Sequence, residues 1–191
     1  ALPTINRVLV DGGSVILISH RGRPKNGPEH RLSLFHLTAH LSNLLNRPIQ
    51  FVNDCVGEEV ESKAGSLARG EVLLLDNLRF YPEEKSGDTV FSERLARLGD
   101  VYINDAFGVA HRAHASTAIV PRFFSDKKYF GYNMNSEIQN IEKVLSGAKR
   151  PLTVIMGGAK VSGKITVISQ LMDRVDNFII GGGMAYTFIK A

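Results

Sequence analysis

Val72-Leu73-Leu74-Leu75-Asp76-Asn77-Leu78-Arg79 decides how the rest of the chain is read: four apolar residues pass without a spacer into a polar loop carrying an arginine. The same change occurs twice more. Val15-Ile16-Leu17-Ile18 leads into Ser19-His20-Arg21-Gly22-Arg23-Pro24, and Val101-Tyr102-Ile103 leads into Asn104-Asp105-Ala106-Phe107-Gly108-Val109-Ala110-His111-Arg112-Ala113-His114. Short apolar runs bounded by loops read as strands. As parallel strands of one sheet, the three would open their basic loops on one edge. That edge is the crevice outside the carboxyl ends of the strands, where open α/β sheets take ligands. The predicted ligand is small and strongly anionic.

Around these runs strands and helices alternate. Leu2, Ile5, Val8 and Leu9 make a helical pattern closed by Gly12. Ser33 is the N-cap of a helix predicted over 33–46, with Leu34, Leu37, Leu41, Leu44 and Leu45 at helical spacing and Pro48 beyond its end. Ile49 to Val52 reads as a strand, and 56–68 as a helix with Glu58, Glu59 and Glu61 near its amino end, where the helix dipole favours them. Asp88 caps a helix predicted to run to Leu98, with Gly99 as its stop. This alternation means βαβ units and a mostly parallel sheet covered on both faces.

The style changes near Pro121. Residues 121–135 are aromatic and irregular; Ser136 then opens an amphipathic helix, with Ile138, Ile141, Val144 and Leu145 on one side and Gly147 at its end. A new βαβα run follows: strand 152–156, loop Gly157-Gly158-Ala159-Lys160, helix 163–174, strand 178–180, loop Gly181-Gly182-Gly183 and a last helix. The predicted organisation is one α/β domain over 1–132, a connecting helix and linker over 133–149, and the start of a second α/β domain over 150–191. A start at Ala1, directly in a helical pattern, leads to the expectation of a piece of something longer.

Composition narrows the class of protein. The formal charge of +4 on 191 residues suits a basic site better than a basic coat for nucleic acid. The lone Cys55 offers no disulfide framework and no metal spacing, so it is expected to pack as a small side chain. No apolar stretch approaches the roughly 18 residues of a membrane span, and no signal peptide is recognisable. The expectation is a cytoplasmic protein without membrane or nucleic-acid partners.

Arginine suits phosphate or carboxylate because its planar fork donates two parallel charge-assisted hydrogen bonds, each worth roughly 1.5 to 3 kcal/mol when shielded from water. Arg23, Arg79 and Arg112, with His20 and His111, are therefore the candidates to hold a compact polyanion. Asp105 reads equally as the orienter of an arginine or as a catalytic group. His30, His36 and His40 are expected to be solvated or packed. Gly158-Ala159-Lys160-Val161-Ser162-Gly163-Lys164 has Walker A spacing, but Ile165 stands where magnesium chemistry needs Ser or Thr. Thr166 comes one place late, about 100° around a helix. What survives is a glycine-rich turn with two lysines, fit for phosphate. Gly181-Gly182-Gly183 allows either close ligand approach or a tight turn.

These segments, in this order and spacing and continuing through Ala115-Ser116, Val161-Ser162 and Met184-Ala185, resemble the phosphoglycerate kinase family across the whole chain. The resemblance implies a two-domain kinase in glycolysis, moving the acyl phosphate of 1,3-bisphosphoglycerate to ADP and giving 3-phosphoglycerate and ATP. It places His20, Arg23, Arg79, His111 and Arg112 in the sugar-acid patch, and Arg112, Lys160 and Lys164 near the transferring phosphoryl group. Lys160, Lys164, Gly181, Gly182 and Gly183 fall on the nucleotide side. Mg2+ would accompany ATP or ADP through a ligand outside this chain. The family works as a monomer closing about a hinge. Arg21 stands where the family more often has an apolar residue, and Gly163 where it usually has Asp between the lysines. The family's first strand and most of its nucleotide domain have no counterpart here, so the chain alone is expected not to turn over. A P-loop nucleotide hydrolase and a non-enzymatic anion-binding module are the competing readings.

Overall fold

The computed structural model describes residues 1–25, 27–147, 149–158 and 162–191. They form two compact units, Ala1–Glu137 and Ile138–Ala191. In the first, α1 (Leu2–Val10) precedes β1 (Val15–Leu17), α2 (Thr38–Leu45), β2 (Ile49–Val52), α3 (Glu58–Gly65) and β3 (Val72–Leu75). Then come α4 (Pro82–Ser86), α5 (Thr89–Ala96), β4 (Tyr102–Asn104), β5 (Lys128–Phe130) and α6 (Tyr132–Leu145), within which the division between units falls. The second unit continues with β6 (Thr153–Gly157), α7 (Ile165–Leu171), β7 (Asn177–Gly181) and α8 (Gly183–Lys190).

β3 is the centre of a parallel three-stranded sheet, flanked by β1 and β2. Val72 is level with both Val15 and Ile49, so the strands start together and release their loops at one edge. All four β3 residues are buried, as a continuous apolar run between two covering layers requires. Alternate side chains serve the two layers. Leu73 and Leu75 pack with Val52, Val60, Phe91 and Leu95, while Val72 packs with Ile5, Leu9 and Leu45. Asp88 caps α5 as expected, its Oδ1 accepting from the Phe91 N–H at 2.7 Å.

In the first unit three expectations need correction. The helix predicted from Ser33 opens as a 3-10 turn, Leu34–Leu37, and becomes α-helical only at Thr38. The Asp76 carboxylate takes both the Ser33 hydroxyl and the Leu34 N–H, which holds that first turn tight against the β3 loop. Residues 121–135 contain β5 and the opening of α6, which starts at Tyr132 instead of Ser136. Asp105 supplies the reason: its Oδ1 accepts the Met134 N–H at 2.9 Å and satisfies an amide of the first turn. β4 does not join the three-stranded sheet; it pairs in parallel with β5, Tyr102 opposite Lys128. Both edges of β3 are taken by β1 and β2, and neither of those two pairs with β4.

In the second unit β6 and β7 pair in parallel from Thr153↔Asn177 to Gly157↔Gly181, with α7 between them in sequence. α7 is shorter than the predicted 163–174 at both ends, with Lys164 outside it as N-cap at φ −122° and Met172 as its C-cap. The α/β class with parallel sheets holds for both units. Among the described residues no helix is long and apolar enough to cross a membrane.

Candidate active site

The loops after β1 and β3 leave the same sheet edge and are stitched together. The Leu78 N–H donates to the Ser19 carbonyl at 3.1 Å. Asn77, 1% exposed, donates through Nδ2 to the carbonyls of Arg21 at 2.7 Å and Leu32 at 3.0 Å. Its Oδ1 accepts the Arg79 N–H at 3.0 Å. Asp76, also buried, takes the Ser33 hydroxyl at 2.9 Å, the Leu34 N–H at 2.7 Å and the Asn77 N–H at 2.8 Å. Buried polar groups persist because they are paired in this way.

Arg79 lies over the seam. Its Nη1 donates to the Gly22 carbonyl at 3.0 Å, while its Nε is buried without a partner. The loop after β4 is held from beneath by α4. Glu84, 1% exposed, accepts the Ser116 N–H at 3.0 Å and the Ser116 hydroxyl at 2.7 Å, with His114 Nδ1 at 3.7 Å. Above this anchor His111 and Arg112 are exposed, as is Arg23; His20 is half-buried.

The cations sense one another. Burial lowers the Arg79 pKa from its usual value and the charge of Arg112 lowers it further; Glu84 opposes this, and Arg23 adds a smaller depression. His20 is pushed below the usual histidine value, first by burial, then by Arg79, His114 and Arg112. Burial does the same to His114, with Arg79 and Arg112 next. Both histidines are therefore neutral at about pH 7, and the His114–Glu84 contact is dipolar instead of ionic. Burial pushes the Glu84 carboxyl upward, against its bonds from Ser116 and the field of Arg79.

Arg79 thus lies within electrostatic reach of His20, Arg23 and Arg112, and His111 is felt by His114; His111 and Arg112 sit on a loop anchored independently of the sheet edge. Glu84, Asp76, Asn77 and His114 are the site residues that sequence reasoning passed over. Only His111 and His114, three apart, offered a visible signal. Asp105 orients no arginine: it accepts from Thr4 Oγ1 at 2.8 Å and from the Met134 N–H, and so ties α1 and α6 to the β4 loop. Cys55 is buried and its thiol pKa is pushed up, so it packs without thiolate chemistry. His30 and His36 are exposed and meet edge-on with centroids 5.0 Å apart.

In the second unit Lys164 Nζ donates to the Gly157 carbonyl at the end of β6, with Met184 Sδ at 3.8 Å. Lys160 lies outside the described residues. Gly182 has φ +65°, and a Cβ there would come within 3.3 Å of the Gly158 nitrogen. The turn Gly181–Gly183 therefore packs its backbone on the turn after β6, and the Met184 N–H donates to the Gly158 carbonyl at 2.9 Å. Among the described residues no group of three or more His, Cys, Asp or Glu side chains could hold a metal ion.

Fold and site together define an α/β protein that carries arginines and histidines on the loops after its parallel strands β1, β3 and β4, donors of the kind that pair with phosphate or carboxylate. The phosphoglycerate kinase family model matches residues 1–191, and the chain belongs to that family. Phosphoglycerate kinase of Moorella thermoacetica is 52% identical, the match covering 100% of this chain and 48% of the relative. That of Porphyromonas gingivalis is 46% identical, covering 100% and 51%. Among solved structures, phosphoglycerate kinase from Coxiella burnetii superposes with TM-score 0.83 at 36% identity, over 100% of this chain and 47% of that one. The enzyme from Pyrococcus horikoshii gives TM-score 0.87 at 28% identity, over 98% and 47%. The chain spans about half the length of the curated relatives it matches.

Proposed function

We propose that the chain carries the sugar-acid site of a phosphoglycerate kinase, which reversibly transfers a phosphoryl group between 1,3-bisphosphoglycerate and ADP to give 3-phosphoglycerate and ATP. The observation that carries this reading is the clustering of Arg23 and Arg112 about Arg79, with His20 beside them. His20, Arg23, Arg79 and His111 bind the phosphate and carboxylate of the sugar acid, and Arg112 also faces the group in transit. Lys160 and Lys164 neutralise the nucleotide phosphates and the moving phosphoryl group, and Gly181, Gly182 and Gly183 line the nucleotide side.

Phosphoryl transfer asks a protein mainly for in-line positioning and charge stabilisation, and arginine and lysine clamps supply both. Mg2+ accompanies the nucleotide in such chemistry; the described residues offer it no ligand cluster, and no step is assigned to it. Residues 1–132 serve the sugar acid, 133–149 connect, and 150–191 serve the nucleotide. The reading is completed by a cytoplasmic monomer that acts on small molecules, with no nucleic-acid or membrane partner. The chain spans about half the length of its curated relatives, so binding is the property to test on it.

Calorimetric titration of the chain at low salt with 3-phosphoglycerate, and separately with magnesium ADP, tests this. Binding of the sugar acid supports the assignment. Nucleotide binding with no response to the sugar acid would overturn it.

A further inference from the structure

Arg112 is exposed, yet the loop that carries it is fixed from below. The Arg112 carbonyl accepts from Thr117 Oγ1 at 2.8 Å, and the Ala118 N–H donates to the His114 carbonyl at 2.9 Å. Between them, Ser116 gives both its N–H and its hydroxyl to Glu84. Just beyond α4, Gly87 has φ +69°, and a Cβ there would lie 2.8 Å from the Ala113 carbonyl oxygen. The loop is therefore seated directly on α4 and the turn that ends it. Glutamate is almost never fully buried unless it is paired, and this one, 1% exposed, is paired to the Ser116 backbone and hydroxyl.

We propose that Glu84 is a positioning residue for Arg112: its buried carboxylate, bonded to Ser116, fixes the 111–117 loop so that the guanidinium meets the anion already oriented. This rests on the reading of the crevice as the sugar-acid site. The alternative role, a negative charge that merely balances Arg79, makes a different prediction, because glutamine keeps one of the two acceptor oxygens, can donate its amide to the Ser116 hydroxyl, and removes the charge.

The test uses the 191-residue chain with Glu84→Ala, Glu84→Gln and Ser116→Ala. Each variant is followed by amide hydrogen exchange without ligand and by titration with 3-phosphoglycerate and with inorganic phosphate. In Glu84→Ala, protection of the Ser116 and Ala118 amides should fall by roughly tenfold or more, and affinity for both anions by a similar factor, while β3 keeps its protection. Glu84→Gln should restore both readouts to within roughly threefold of the unmodified chain, and Ser116→Ala should fall between.

A folded Glu84→Ala chain with unchanged loop protection and affinity would overturn the proposal. So would a Glu84→Gln chain as impaired as Glu84→Ala, since charge and not anchoring would then be at work. Should Glu84→Ala not fold, Ser116→Ala decides, and full protection with full affinity there counts against the anchor. A chain that takes phosphate and ignores 3-phosphoglycerate refutes the functional reading alone, and the exchange and phosphate readouts still judge Glu84.

Discussion

Arg79 is the residue on which most of the site's chemistry turns. It is tied at its N–H to Asn77 and at Nη1 to Gly22, while Nη2 makes no hydrogen bond within the described residues. Replacing it with alanine removes a charge-assisted contact worth roughly 1.5 to 3 kcal/mol, so affinity for 3-phosphoglycerate should fall by about tenfold to a hundredfold in calorimetry. An Arg79→Ala chain that binds as well as the original would refute the role given to it. His20 and His114 make a second prediction. Their pKa values are lowered in the fold, by burial first. A depressed native pKa contributes stability that is complete above the unfolded value of about 6.5 and is lost as pH falls through the native one. The melting temperature should therefore drop as pH falls from about 7.5 to 5.5, and less steeply with His114→Asn. An identical slope in that variant would show that His114 is not titrating against the fold.

At the scale of elements, the decisive join is between the end of β3 and the loop after β1. Asp76 makes it, and its removal leaves the Leu34 and Asn77 amides without their buried acceptor. Asp76→Ala should cost about 2 to 4 kcal/mol in urea unfolding, and Asp76→Asn, which keeps one oxygen, clearly less. A cost under about 0.5 kcal/mol for alanine would place the join elsewhere. Here the limits of sequence reading have a physical form. β3 is legible because burial on both faces demands an unbroken apolar run, and Ile5 with Leu9, or Phe91 with Leu95, show one helical face each. The 3-10 opening before α2 is not legible, since Asp76 lies 43 positions from Ser33. Nor is the start of α6, set by an Asp105 whose other partner, Thr4, is 101 positions away. Strand pairing escapes too, because whether β4 finds β3 or β5 depends on which edges are already taken. The basic residues were readable because arginine after a strand has a strong chemical meaning; Glu84 was not, because glutamate in an acidic turn signals surface.

Across the whole molecule, burial is distributed unevenly between the two units. Both hydrophobic core clusters lie in residues 1–137, and among the described residues beyond that point only Met184 is buried. β3 has neighbours on both edges and covers on both faces, whereas β6 has β7 as its partner strand, with Ile155 75% exposed. Opening a strand costs free energy in proportion to the apolar contacts and shielded hydrogen bonds that must be broken, so local stability should follow this division. In amide hydrogen exchange of the chain, β3 should be the slowest segment and β6 and β7 should exchange at least about a hundredfold faster, a difference of roughly 2.7 kcal/mol in opening free energy. The same measurement in the presence of 3-phosphoglycerate should slow the loops after β1, β3 and β4 and leave β6 and β7 unchanged, because the ligand stabilises only the unit that binds it. Equal protection of β3 and β6 would mean that the second unit is stabilised by contacts other than apolar burial. Ligand-induced protection spreading to β6 and β7 would mean that the sugar-acid site and the nucleotide-side turns are energetically coupled within these 191 residues.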